Sequence, residues 1–151
     1  MNLLFTNIQG IFLLLDPKTI FNLVNGIALF AWVGLVLLPN PKLIQLYRVY
    51  LIGLFFGIAY SIFIAVGMSS AEGSFSSLDG VRSLFMNDYA LLAGWIHYLA
   101  FDLFLGVWET NDAKESGIPK YLLIPCLIFT FYIGPFGYLL YIIIKKLKSR
   151  S

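Results

Sequence analysis

The stretch from Ala90 to Glu109, ALLAGWIHYLAFDLFLGVWE, constrains this chain more than any other. Its roughly 20 mostly apolar residues are long enough to cross a bilayer core as a helix. Yet it carries the chain's only histidine, His97, and, five residues on, Asp102. An aspartate at the centre of a membrane helix costs about 2.5–3.5 kcal/mol on insertion scales, so such residues face a bundle interior, find partners and mark functional paths. The plainer alternative is that the two side chains are interhelical hydrogen-bonding glue.

The rest of the composition agrees with a bilayer location. Hydrophobic residues make up 60% and charged residues 12% of the 151, which places the chain among membrane proteins. Ten Lys and Arg with a net charge of +2 are too few for a nucleic-acid surface, and some are spent on topology. A single cysteine, Cys126, excludes an intrachain disulfide and a zinc cluster, and reads as a packing residue. No basic region precedes the first apolar segment, so a cleaved signal is not expected. No repeat of 20 to 50 residues divides the chain. It is read as one membrane domain over residues 1–151.

Four spans are expected, at about residues 20–38, 49–68, 90–109 and 121–144, forming an all-α four-helix bundle. Before them, residues 3–15 are too short and too polar to cross and read as an interfacial or re-entrant segment. Asp16, Pro17 and Thr19 give a helix start. In the first span Asn22, Asn25 and Gly26 share one side, as glue or as the lining of a ligand pocket, while Trp32 reads as packing. Pro39-Asn40-Pro41 ends that span. In the second, Gly53, Gly57 and Ser61 recur every four residues and offer a face on which another helix can pack, a homo-oligomer included. Residues 69–87 form a long polar loop with a short surface helix near Leu78 to Phe85. The fourth span contains Gly134-Pro135-Phe136-Gly137, where a kink or unwound turn is expected and where freed carbonyls would need side-chain or water partners. Four crossings put both termini on one side, and Lys18, Arg82 and the basic tail then favour the cytosolic side by a modest margin.

At 100° per residue Trp95, Tyr98, Asp102 and Glu109 fall close to one stripe. His97 lies roughly 140° from Asp102 and shares its side with Phe101, Phe104 and Trp108. One imidazole without an EXXH or HXXXH repeat makes a metal site weak, and no cofactor is expected. The chain has no G-x-S-x-G, dinucleotide or Walker motif. General acid–base chemistry needs only a donor and an acceptor in a dry pocket, and His97 with Asp102 meets that minimum. A proton-coupled transporter using Asp102 and Glu109 is a further reading, disfavoured by the lack of a repeat.

The run from Leu91 to Tyr141 resembles the neoxanthin synthase family, also called the abscisic-acid-deficiency four family, of plant plastids and photosynthetic bacteria. The resemblance is carried by GW-I-HYLAFDLF-G and by GIP, PC, T and GP-G-LLY in the following segment. It implies a small integral protein of a plastid, thylakoid or bacterial membrane, tied to carotenoid metabolism. The implied reaction is the redox-neutral conversion of the epoxide of violaxanthin to the allene of neoxanthin, with His97 and Asp102 as acid–base candidates. Trp95, Tyr98 and Phe101 would line the polyene, and Asn22, Asn25 and Glu109 complete the substrate-binding candidates. Bacterial members would take another carotenoid or isoprenoid. The rival reading is a non-catalytic carotenoid binder or a scaffold for carotenoid-modifying enzymes.

Overall fold

Local signals start four of the five helices where side chains replace missing backbone partners. A computed structural model of the chain describes residues 16–149, and the predicted interfacial segment at 3–15 lies outside them. Helix α1 (Pro17–Leu37) begins with Pro17 in its first turn and the Asp16 carboxylate accepting from the Thr19 amide at 2.9 Å. Helix α2 (Pro41–Ser70) starts eight residues before its predicted span. There Asn40 accepts from the Leu43 amide at 2.9 Å and Pro41 supplies the first turn, so the stop signal for α1 is also the start signal for α2.

Between Tyr47 and Phe56 α2 is wound as a π-helix, with the Gly57 amide reaching the Ile52 carbonyl. π-Winding is rare and usually confined to one turn. The short surface helix is present as α3 (Leu78–Leu84), capped by Ser77. Helix α4 (Asp88–Glu115) starts where Asn87 accepts from the Tyr89 and Ala90 amides at 3.0 and 3.1 Å. After the turn at Gly117, where φ is +63°, α5 (Lys120–Lys148) begins. No strand occurs among the described residues.

Helix α4 is the axis of the molecule, and α1, α2 and α5 each pack on it. Two glycines allow α1 and α2 to approach it closely. A Cβ on Gly106 would lie 2.5 Å from the Trp32 ring of α1, and one on Gly67 would lie 2.6 Å from the Ala90 amide nitrogen. Trp32 is therefore packing, as its setting suggested, and the α2–α4 contact is made at Gly67. The stripe Gly53, Gly57 and Ser61 instead faces away from the other helices, lining an open groove with Ile58, Ile62 and Ala65.

The fourth predicted span breaks where Gly134-Pro135 predicted it, at Ile133 and Gly134, whose backbone angles are non-helical. The bend is far more than a kink. A Cβ on Gly137 would run into the backbone of Thr130, and the Phe129 and Phe136 rings meet at 5.3 Å, so the two halves lie side by side. The second half runs back along α4. Trp108 meets Tyr138 and Tyr141, Asp112 accepts from the Tyr141 hydroxyl and from the Lys145 ammonium at 2.6 Å, and Lys148 reaches the Gly117 carbonyl. Helix α5 is a hairpin whose two ends lie beside the same turn.

Asp112 fastens this returning arm. Its carboxylate is mostly covered and accepts from both Tyr141 and Lys145, so Asp112→Ala strands a tyrosine hydroxyl and a lysine together. The expected loss is about 1.5–3 kcal/mol, the range for hydrogen bonds to charged groups. Thermal unfolding in detergent measures it, and faster amide exchange confined to residues 138–148 would locate it.

Candidate functional site

The predicted stripe on α4 is real, and the structure divides it between two settings. Its first part borders a groove of about 480 Å³ between α1 and α4, lined by Pro17, Phe21, Asn22, Leu91, Leu92 and Trp95 among others. This size is within the range of small-molecule pockets, and the lining is apolar with a few polar groups, as such pockets are. Trp95 is fixed there by its indole N–H, which donates to Asn25 Oδ1 at 3.1 Å, while Asn25 Nδ2 donates to the Phe21 carbonyl at 2.6 Å. Thus Asn25 orients the tryptophan and Asn22 faces the groove. Phe21, Trp95 and Tyr98 form a continuous row of rings, with successive centroids 5.5 and 5.2 Å apart.

The row ends at the α5 turn. Pro135 has no amide to give the Phe131 carbonyl four residues earlier, and the Tyr98 hydroxyl supplies the donor, reaching the Phe131 and Tyr132 carbonyls at 3.3 and 3.1 Å. One turn further along α4 is Asp102, 8% exposed, pressed against Gly134 so closely that a Cβ there would strike its carboxylate. Asp102 Oδ2 is buried without a hydrogen-bond partner. Tyr98 is its polar neighbour. A buried unpaired oxygen costs about 1–3 kcal/mol or more for a charged group. The groove lining stops at Trp95, about two turns of α4 before Asp102, and Tyr98 lies between them.

His97 and Asp102 are not brought together. His97 is on the outward face of α4, stacked on Phe101 at 4.4 Å between ring centroids and 5.6 Å from Tyr60 of α2. Phe101 itself is 60% exposed. Glu109 is fully buried further along the stripe, where Thr130 Oγ1 donates to its two oxygens at 3.0 and 3.1 Å. It ties α4 to the first arm of α5. Among the described residues no three His, Cys, Asp or Glu side chains converge as metal ligands.

Phe21 and Leu91 were not anticipated as groove residues, since only the pairing of α1 with α4 gives them that position. Asp112, Tyr141 and Lys145 were also missed. In sequence Asp112 belongs to a polar turn, and nothing local says that the chain returns to it.

Fold and site together define a small polytopic α-helical membrane protein, with a carboxylate buried deep in its central helix and an apolar groove between α1 and that helix. The chain matches the family model described as ABA DEFICIENT 4-like over residues 19–141 and belongs to that family. This makes it a carotenoid-related membrane protein. No curated protein and no solved structure matches it.

Proposed function

We propose that the protein binds a carotenoid, or another long isoprenoid with an oxygenated end, along the row Phe21, Trp95 and Tyr98, and isomerises that end by acid–base chemistry at Asp102. The observation that carries this reading is Asp102 itself, nine-tenths buried with Oδ2 unpartnered, where the aromatic row ends. For an epoxide end group, the acid form of Asp102 gives its proton to the epoxide oxygen as the C–O bond opens. The Asp102 carboxylate left behind takes a proton from the polyene carbon next to the ring, whose C–H electron pair forms the allene and restores the acid. Atoms and electrons balance without an electron carrier, and mass is unchanged. The Tyr98 hydroxyl holds the α5 turn against which Asp102 rests, and Asn25 holds Trp95. His97 remains a second proton-transfer candidate for a ligand reaching the outward face beside Phe101.

Expressed in a host that accumulates epoxidised carotenoids, the chain is expected to yield a new pigment of unchanged mass, resolved by chromatography and mass spectrometry. An unchanged profile with pigment co-purifying would sink the isomerase reading. It would favour a binder or scaffold, for which the outward Gly53, Gly57 and Ser61 face gives a surface where a helix of a carotenoid-modifying enzyme or a second copy would pack.

A further inference from the structure

All four long helices, α5 included, are apolar and long enough to cross a bilayer. The geometry of α5 points elsewhere. Its arms, residues 120–132 and 135–148, have 13 and 14 residues and reach about 20 Å each. The hydrocarbon core is about 30 Å thick. Its turn sits against Asp102, near the middle of α4, about 20 Å along the helix from either end. We propose that α5 is a re-entrant hairpin that enters and leaves through one membrane face with its turn near the midplane, so that the described chain crosses three times, by α1, α2 and α4.

Three observations carry this independently of any reaction. First, the contacts of Tyr141, Lys145 and Lys148 with Trp108, Asp112 and Gly117 return the end of α5 to the level where it began. Second, the hairpin changes the charge balance. The α1–α2 turn lies beside the end of α4 and the start of α5, where Pro39, Pro41, Asn111, Lys114 and Lys120 line a common cleft. With the returning arm, that face gathers Lys42, Arg48, Lys114, Lys120, Lys145, Lys146 and Lys148, against Lys18 and Arg82 at the other. The positive-inside bias becomes large and puts the basic face in the cytosol or its equivalent, with the start of α1 opposite. Third, non-helical backbone at membrane depth is tolerated where protein or a cavity surrounds it. The turn meets that condition through Tyr98 and Asp102, although Tyr132 beside it is 69% exposed.

The reversal has a consequence for the groove. A straight α5 would continue past Asp102 along the stripe of α4 that holds Leu91, Trp95 and Tyr98, and would cover it. By turning back at Gly134 it leaves the Leu91 and Trp95 stripe open to lipid, in the half of the bilayer away from the basic face. An apolar ligand then reaches Asp102 laterally, from within that half of the bilayer.

The test is thiol mapping on the full chain in sealed right-side-out and inverted vesicles. Single cysteines replace the exposed Ser76, Ser116 and Ser149 in a Cys126→Ser background and are probed with a membrane-impermeant maleimide. Ser116→Cys and Ser149→Cys are expected to label from the same side and Ser76→Cys from the other. Labelling of Ser149→Cys together with Ser76→Cys would overturn the proposal, because α5 would then cross. Cys126 is buried and its thiol donates to the Leu122 carbonyl four residues back, a bond a serine hydroxyl can make, so serine suits the background. A fluorescent-protein fusion to each cysteine variant reports whether it is folded and membrane-inserted before it is scored. The readout involves no pigment, so loss of the isomerase reading would leave it standing.

Discussion

Asp102→Asn is expected to remove product by about 10²–10⁴-fold, the usual contribution of a positioned acid or base, while leaving the protein folded and able to hold pigment. The substitution keeps the volume of the side chain against Gly134, where no extra atom fits. It replaces a buried carboxylate oxygen that has no partner. Exchanging an unpartnered oxygen for an amide of the same volume breaks no satisfied pair, so little stability is expected to be lost. Stability and activity therefore move differently. A residue serving only as glue would show the opposite, with thermal stability falling and pigment chemistry unaffected. Pigment profiles beside melting curves in detergent decide between them, and full product from a well-expressed Asp102→Asn would rule out Asp102 as the proton-transfer group. His97→Ala is the informative companion. With His97 stacked on Phe101 away from Asp102, product is expected to fall by less than about tenfold, below the range for a general acid or base.

Gly137→Leu should have the largest effect on folding. A Cβ at this position already meets the Thr130 backbone and hydroxyl, and backbone cannot move aside as the end of a flexible side chain does. Overpacking in a well-packed core typically costs about 1–3 kcal/mol and occasionally more. Here the clash is with the other arm of a hairpin, so a loss above that range is expected. It should appear as poor recovery from membranes and as loss of the Asp112–Lys145 attachment. Pro135→Ala is the contrast. It restores an amide near the turn without adding volume, and a mild effect would show that close approach of the arms, more than the missing N–H, makes the hairpin. A stable, well-expressed Gly137→Leu protein would refute the tight juxtaposition.

The division of information follows from the range of the interactions. Apolar length, the Asp16-Pro17 and Asn40-Pro41 caps and the surface helix near Leu78 depend on neighbours a few residues away, and were legible for that reason. So was the Trp95, Tyr98 and Asp102 stripe, because 3.6 residues per turn settles which side chains share a face. The same arithmetic separated His97 from Asp102. What it could not say is which face meets another helix. The repeated Gly53, Gly57 and Ser61 stripe turned outward, whereas Gly67 and Gly106, with no such pattern, became the close contacts.

The sequence by itself determined a bilayer-embedded bundle of helices, a break at Gly134-Pro135, and a carboxylate set deep among apolar residues. These follow from transfer free energy, a missing proline amide and helical periodicity, all local in the chain. Only the tertiary structure decided that the break reverses α5, that Tyr98 satisfies its freed carbonyls, and that Asp112 holds Tyr141 and Lys145. Those depend on contacts between residues about 30 positions apart, whose partners no local preference specifies. That reversal leaves the Leu91 and Trp95 side of α4 without a covering arm of α5, beside the groove that α1 and α4 form.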